Sequence, residues 1–444
     1  MRLLDSVKRI ITQRENEPLL IIGAALAALS YLSFTGLTFQ VGKPIDLFAD
    51  IRYQDHSLED SIAFFKKNAG IKKHQRDSMN KVLAADVDTS LFNYFSALNQ
   101  LPKQKRKIRI AWMGDSMIEG DLVTNDFRKL LQKKYGGNGV GFVGITSPTA
   151  KFRGSVNHTY SGWTTYHFRD KPPKAVHLGI AGYTFLGDKT AVARYKVSKE
   201  YDLFGDATLL YGKTDGGTIT IQADTNKQTL YLDSTDVFGT ATTFGQGNAS
   251  SISIFDADKQ VPLYGVLLDR GPGIYVDNFS FRGNSGITLS DIDQSLLYQA
   301  GQQLNYKLII MSYGLNVVGH NIKKYDWYER GFIKTLAHIR KAFPEASILL
   351  MSVSDKSHRK QGEYETEPDI PIFVELQKKM AKEAGIGFWN LYEAMGGYNS
   401  MKHWVEDKPR LANYDYTHPN FDGAKKLPNY LIPTSKQNMP SIIS

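Results

Sequence analysis

The chain has 444 residues, 42% of them apolar and 22% charged, which fits two or more folded domains and excludes a disordered or collagen-like polymer. It contains no cysteine, so disulfides, thiolate zinc sites, iron–sulfur clusters and cysteine nucleophiles are excluded. Lys and Arg (54) exceed Asp and Glu (45) by 9, which permits contact with anionic polymers or membrane surfaces without identifying one.

Residues 1–17 carry Arg2, Lys8, Arg9 and Arg14 and read as a cytoplasmic basic tail. Residues 18–42 have no charge, and 19–39 are almost wholly apolar or small. A helix of that length spans roughly 30 Å, the thickness of a bilayer core. The following segment is acidic, with Asp46, Asp50, Asp55, Glu59 and Asp60. Basic flanks stay in the cytoplasm, so the bulk of the chain is expected outside it. Cleavage as a signal peptide at Ala25-Leu26-Ala27, or a buried core helix, are the alternatives. The apolar run continues well past that motif, which favours an uncleaved single-pass anchor in the inner or cytoplasmic membrane.

Residues 43–107 read as a stalk with short helices at 58–67 and 91–98 and a basic linker at 102–107. Residues 108–113 form a short apolar strand ending at Gly114, and 125–135 a helix with Phe127, Leu130 and Leu131 on one face. Residues 108–173 make the first part of an α/β domain. From 174 to 281 the texture is β-rich, with strands expected at 176–181, 191–197, 218–223, 228–232, 251–255, 262–268 and 273–280, separated by Gly, Asp and Asn turns. That rhythm predicts an inserted all-β domain of sandwich, jelly-roll or carbohydrate-module type. From 282 to 444 strands (308–313, 347–353, 387–391) alternate with helices (292–304, 325–343, 371–384), which predicts a doubly wound parallel sheet with helices on both faces.

Gly114-Asp115-Ser116 lies where the first strand ends and the chain turns toward a helix. Ligands bind at the carboxyl ends of such strands, and a serine there can attack a carbonyl once a base activates it. Asp415-Tyr416-Thr417-His418 supplies a base and its orienter: an Asp three residues before a His can hold one ring nitrogen and leave the other for the serine. Gly286 N–H, in Gly283-Asn284-Ser285-Gly286, and the Asn316 amide, in Gly314-Leu315-Asn316, are candidate oxyanion donors. Singly, Gly-Asp-Ser reads equally well as a turn, Asp415 and His418 read better as a loop histidine with a capping aspartate, and Gly286 and Asn316 read also as turn or cap residues.

In that order the four blocks resemble the SGNH (GDSL) hydrolase superfamily, over about residues 108–427. The resemblance implies Ser116 as nucleophile and oxyanion N–H, Gly286 and Asn316 as further oxyanion donors, His418 as general base and Asp415 as its orienter. Gly283 is the alternative glycine if that block shifts by three. Residues 114–121 and 135–144 are similar to the opening of extracytoplasmic peptidoglycan and polysaccharide O-acetylesterases, which also carry a β domain between the first two blocks. Met117 after the serine, and Val317 rather than an acidic residue after Asn316, depart from the family pattern.

The expected function is therefore a serine esterase that removes O-acetyl groups from a cell-envelope carbohydrate, periplasmic or extracellular, without cofactor or metal. The same residues serve an O-acetyltransferase partnered by a membrane-bound O-acyltransferase, which a membrane anchor would suit. A lipid esterase or thioesterase, and a non-catalytic wall-binding module, are further alternatives. Gly139–Gly144 matches GxGxxG but follows a helix and precedes Ser147-Pro148, the wrong context for a dinucleotide. The ten histidines are scattered without HExxH, and no nucleic-acid-binding motif is present. The aromatic group Tyr160, Trp163, Tyr166 and Phe168 reads as core at the domain junction, and the basic run at 103–109 as a solvated linker.

Overall fold

The computed structural model describes residues 89–170, 172–255 and 261–431. The expected tail (1–17), anchor (18–42) and the stalk up to residue 88, with its helix at 58–67, lie outside these residues. Among the described residues no helix is long and apolar enough to cross a membrane.

Helix α1 (Phe92–Gln104) leads into strand β1 (Lys107–Gly114), a 3-10 turn over Ser116–Asp121 and helix α2 (Thr124–Tyr135). Nine strands follow: β2 (Asn138–Val143), β3 (Val156–His167), β4 (Tyr183–Val197), β5 (Phe204–Thr214), β6 (Gly217–Ala223), β7 (Asn226–Leu232), β8 (Thr235–Ala249), β9 (Ser251–Phe255) and β10 (Leu263–Arg270). They form one sheet in the order β7-β6-β9-β4-β10-β5-β8, with β2 joined to β10 and β3 to β4. The chain then makes β11 (Gly273–Ser280), α3 (Gln294–Leu304), β12 (Tyr306–Ser312), α4 (Asp326–Ala342), β13 (Ser347–Met351), a hairpin of β14 (Ser357–Lys360) and β15 (Glu363–Thr366), α5 (Asp369–Ala384), β16 (Gly387–Trp389), α6 (Leu391–Met395), α7 (Ser400–Glu406) and α8 (Phe421–Leu431).

Strands β11-β1-β12-β13-β16 form a sheet whose pairings are all parallel. In chain order within the sheet this is 2-1-3-4-5, so the strand order reverses at β1/β12 and opens a crevice at their carboxyl ends. Side-chain alternation explains the layers. Ile108, Ile110 and Trp112 of β1 face one core with Leu308, Ile310, Leu349 and Met351. Ala111 and Met113 face the other, with Ile309, Met311, Ile348 and Leu350. Both faces are covered by helices, as a buried parallel sheet requires. Helix α3 is set locally: Asp293 accepts from the N–H groups of Ser295 and Leu296 at 2.7 and 3.1 Å, and Asn305 closes the helix in the left-handed region at φ 56°.

Several expectations change here. The β-rich sheet starts at Asn138 and ends at Arg270 rather than filling 174–281. Residues 273–280 form a strand as expected, but it pairs parallel with β1 as the edge of the α/β sheet. Residues 176–181 are loop and turn, because Val176 N–H bonds back to Pro173 O and Gly182 N–H to Gly179 O. The glycines at 139–144 lie on or next to β2: a Cβ on Gly141 would meet Asp277 Oδ1 at 2.5 Å, so their role is close approach between strands. The basic run at 103–109 is not a solvated linker throughout. Arg109 is 3% exposed and donates to both oxygens of Asp277 at 2.8 Å and also to Asp269. Asp277 accepts in addition from Tyr306 Oη at 2.7 Å and Phe142 N–H at 2.9 Å. Arg109 thus ties β1, β10 and β11 together where the two sheets meet. The aromatic group divides: Tyr160 is 40% exposed, Trp163 packs at the edge of the β-sheet core, and Phe168 stacks edge-on to Phe281 at 5.2 Å.

Candidate active site

Strand β1 delivers Asp115 and Ser116 to the reversal point. Asp115 is 1% exposed and caps the 3-10 turn, accepting the Met117 N–H at 3.0 Å. Its other oxygen accepts the Asn316 amide at 2.8 Å, so the loop after β1 is tied directly to the loop after β12. Burial pushes the Asp115 carboxyl up to about 6, against the Met117 hydrogen bond and the nearby His418, which both favour the ion. A Cβ on Gly114 would meet Ser312 O at 3.2 Å and Ile118 at 2.9 Å, which is why the strand ends on a residue without a side chain.

The far end of the turn is anchored more heavily. Asp121 is 2% exposed and binds Arg128 through both oxygens at 2.8 and 2.9 Å, Ser155 Oγ at 2.7 Å and the Thr124 hydroxyl. Burial opposes its charge, but Arg128 and Arg153 outweigh that and hold the carboxyl well below the usual range. Asn278 of β11 adds bonds to Ile118 O at 2.6 Å and Thr124 Oγ1 at 2.8 Å. The serine therefore sits on a rigid platform.

His418 arrives from residue 302 positions later, with its Nε2 2.9 Å from Ser116 Oγ. Its Nδ1 lies 2.8 Å from Asp415 Oδ2. The expected spacing works because Asp415 Oδ1 also accepts the N–H groups of Thr417 and His418, each at 3.0 Å, folding the four residues into a turn. Burial would raise the Asp415 carboxyl, but the hydrogen bonds from the His418 N–H and ring and from Thr417 together hold it below its usual value. The hairpin β14–β15 supports this turn: Ser357 N–H donates to Tyr416 O at 2.9 Å, and the Tyr364 ring stacks on Tyr416 with centroids 3.5 Å apart.

The oxyanion donors need one correction. Gly286 is buried, its N–H already donates to Asn284 Oδ1 at 2.6 Å, and its φ is +91°. A Cβ there would strike Phe332 and Tyr313 at 2.6 and 2.7 Å, so this glycine is needed to pack the loop against α4. Gly283, the alternative three residues earlier, is half-buried, and its N–H carries no hydrogen bond among the described residues. The Ser116 N–H is likewise unbonded among them. Asn316 is exposed, and besides Asp115 its amide reaches Asn284 O at 3.3 Å. Sequence reasoning gave Asp115 only the turn bond that it makes to Met117 N–H and missed its tie to Asn316.

A family model, the GDSL-like Lipase/Acylhydrolase family, matches residues 237–426, a stretch holding Gly283, Asn316, Asp415 and His418 but starting beyond Ser116. No curated protein matches the sequence. A peptidoglycan O-acetylesterase structure is similar with a TM-score of 0.65 at 20% identity, covering 76% of this chain and 93% of that one. An acetyl xylan esterase (TM-score 0.25, 16% identity, 35% of this chain, 79% of that) and a family two carbohydrate esterase from Cellvibrio japonicus (0.26, 10%, 62% and 96%) align too weakly to carry any argument. Residues 237–426 thus match the GDSL-like Lipase/Acylhydrolase family, and the fold is shared with that esterase structure along most of the described length.

Proposed function

We propose that the protein is a serine-dependent esterase that removes O-acetyl groups from a cell-envelope carbohydrate, peptidoglycan first among the candidates. The observation that carries the chemistry is the Ser116–His418–Asp415 relay at 2.9 and 2.8 Å. The carbohydrate class is supported by the similarity to a peptidoglycan O-acetylesterase structure. A groove also runs from the serine turn at Glu119 and Gly120 onto the β domain at Thr146, Ser147 and Tyr183, with polar groups along its walls.

Ser116 Oγ attacks the acetyl carbonyl while His418 Nε2 takes the hydroxyl proton and Asp415 stabilises the imidazolium. The Ser116 and Gly283 N–H groups and the Asn316 amide hold the developing oxyanion, which displaces the long 3.3 Å bond to Asn284 O. The C–O bond to the sugar breaks as His418 returns the proton to the sugar oxygen; water, deprotonated by His418, then attacks the acetyl-serine, whose C–O bond breaks to release acetate while His418 hands that proton back to Ser116 Oγ. An uncleaved anchor at residues 18–42 would place this chemistry outside the cytoplasm, within reach of such polymers.

The test is acetate release from O-acetylated peptidoglycan by the purified chain, with Ser116→Ala alongside. Acetate from the wild type and none from the variant is expected. Release by Ser116→Ala removes the serine mechanism. Acetyl esters formed on an added glycan acceptor, in place of free acetate, replace hydrolysis with acetyl transfer.

A further inference from the structure

A second group of chemistry-bearing side chains lies outside the triad. His320 comes from the loop after β12, His358 from β14, and Glu367 from the end of the hairpin. Their ligating atoms lie within 4.8 Å of one another. His320 Nδ1 is 2.7 Å from Glu367 Oε1, His358 Nδ1 is 3.9 Å from Glu367 Oε2, and the two imidazole centroids are 4.7 Å apart. Side-chain exposure grades from 7% for Glu367 through 16% for His358 to 54% for His320. A solvent-side entrance therefore leads to a shielded carboxylate.

A plain ion pair does not account for the arrangement. It satisfies His320 and one carboxylate oxygen but leaves His358 Nδ1 shielded from solvent with no hydrogen-bond partner, facing an oxygen too distant to bond. Its other nitrogen, Nε2, faces Glu365 Oε1 at 3.5 Å. A carboxylate behind the far nitrogen of an imidazole is the second-shell device that aims the near nitrogen at a metal.

We propose that His320, His358 and Glu367 form a divalent-metal site that takes zinc, with solvent completing the coordination. Two imidazoles and a carboxylate suit zinc, whose bonds of about 2.0–2.2 Å bring ligand atoms closer than the 3.9 Å seen between His358 and Glu367, so small side-chain shifts close the site. The nitrogen donors select against magnesium and calcium, which take oxygen ligands. No HExxH-like spacing announced the site, because its ligands come from two separate segments. Its position gives it a role: His320 is four residues beyond Asn316, and the hairpin holding His358 and Glu367 supports the turn of Asp415 and His418. A bound ion clips the loop of an oxyanion donor to the hairpin behind the catalytic histidine.

The experiment is calorimetric titration of the untagged full chain with zinc chloride, with cobalt(II) absorption as a second readout. One ion per chain is expected, together with cobalt d–d bands of histidine–carboxylate ligation. Excess magnesium or calcium should not compete. His320→Ala, at an exposed position that leaves the fold intact, and Glu367→Gln should each weaken zinc by at least the roughly 10–100-fold that even outer-shell partners carry, while His177→Ala, in the loop before β4 and beside Asp293, leaves it unchanged. Absence of stoichiometric binding, or wild-type affinity in His320→Ala, overturns the proposal. Neither result bears on ester hydrolysis by Ser116.

Discussion

The two halves of the Ser116–His418–Asp415 arrangement are held in opposite ways. The serine turn is anchored from below by buried ionic groups: Asp115 and Asp121 are 1% and 2% exposed, and Arg128 is fully buried. The histidine turn is a surface structure, with side-chain exposure of 49% for Asp415 and 32% for His418, held by its own hydrogen bonds and by the hairpin behind it. Buried carboxylates thus fix geometry on the serine side, whereas the carboxylate that holds the histidine is wet. A nucleophile must not move, and charges locked away from water secure it. A base must gain and lose a proton, and partial solvation keeps both of its states accessible.

This contrast can be broken most severely at the wet carboxylate. Asp415→Asn should lower kcat by up to about 10⁴-fold, through loss of imidazole orientation and of imidazolium stabilisation, with the unfolding midpoint little changed. Steady-state kinetics with an acetyl ester and a urea melt measure the two sides, and a large stability loss with intact turnover would reverse the assignment. The complementary change is Asp121→Asn. It leaves the fully buried Arg128 beside a neutral partner and should destabilise the fold by about 3–5 kcal/mol, read as a lower urea midpoint. A midpoint within experimental scatter of the wild type would show that the platform does not depend on that charge.

Asp115 sharpens the comparison through pH. Its folded value of about 6 lies above its ordinary 3.8. Its stabilising contribution is therefore fully present below pH 3.8 and is lost as pH rises through about 6, by about 3 kcal/mol in all at 1.36 kcal/mol per unit. The wild type should lose that much stability relative to Asp115→Asn between pH 4 and 7 in paired denaturant titrations; parallel curves would remove the buried carboxylate from the account. The smallest effect is expected at Tyr364→Ala, where one stacked ring is worth about 1 kcal/mol of support for the histidine turn. A modest fall in melting temperature and a few-fold drop in kcat are expected, and a loss as deep as that of Asp415→Asn would mean that the hairpin, not Asp415, orients the base.

How far the sequence could be read depended on whether the signal was local. The apolar run of 108–113 marked an element because a parallel strand meets core on both faces, and the helical periodicity of 325–343 because a helix buries one. The order of the serine, asparagine and aspartate–histidine blocks was legible because each sits just beyond an element end. The hairpin at Ser357–Thr366 was missed because its residues are mostly polar and charged and show no apolar alternation. On paper Gly286 was preferred to Gly283; its hydrogen bond to Asn284 and the closeness of Phe332 turn the choice toward Gly283.

Sequence by itself determined most elements of the α/β part and the mixed α/β and β-rich organisation, and singled out the serine, histidine and aspartate that the fold brings together, since periodicity, turn chemistry and short spacings act over a few residues. Tertiary structure alone decided that 273–280 joins the parallel sheet, that Arg109 is a buried tie between sheets, that Asp115 holds Asn316, and that His320, His358 and Glu367 meet. Each of those depends on which distant segments become neighbours, and pairing of that kind is fixed by the packing of the whole chain rather than by any stretch of it.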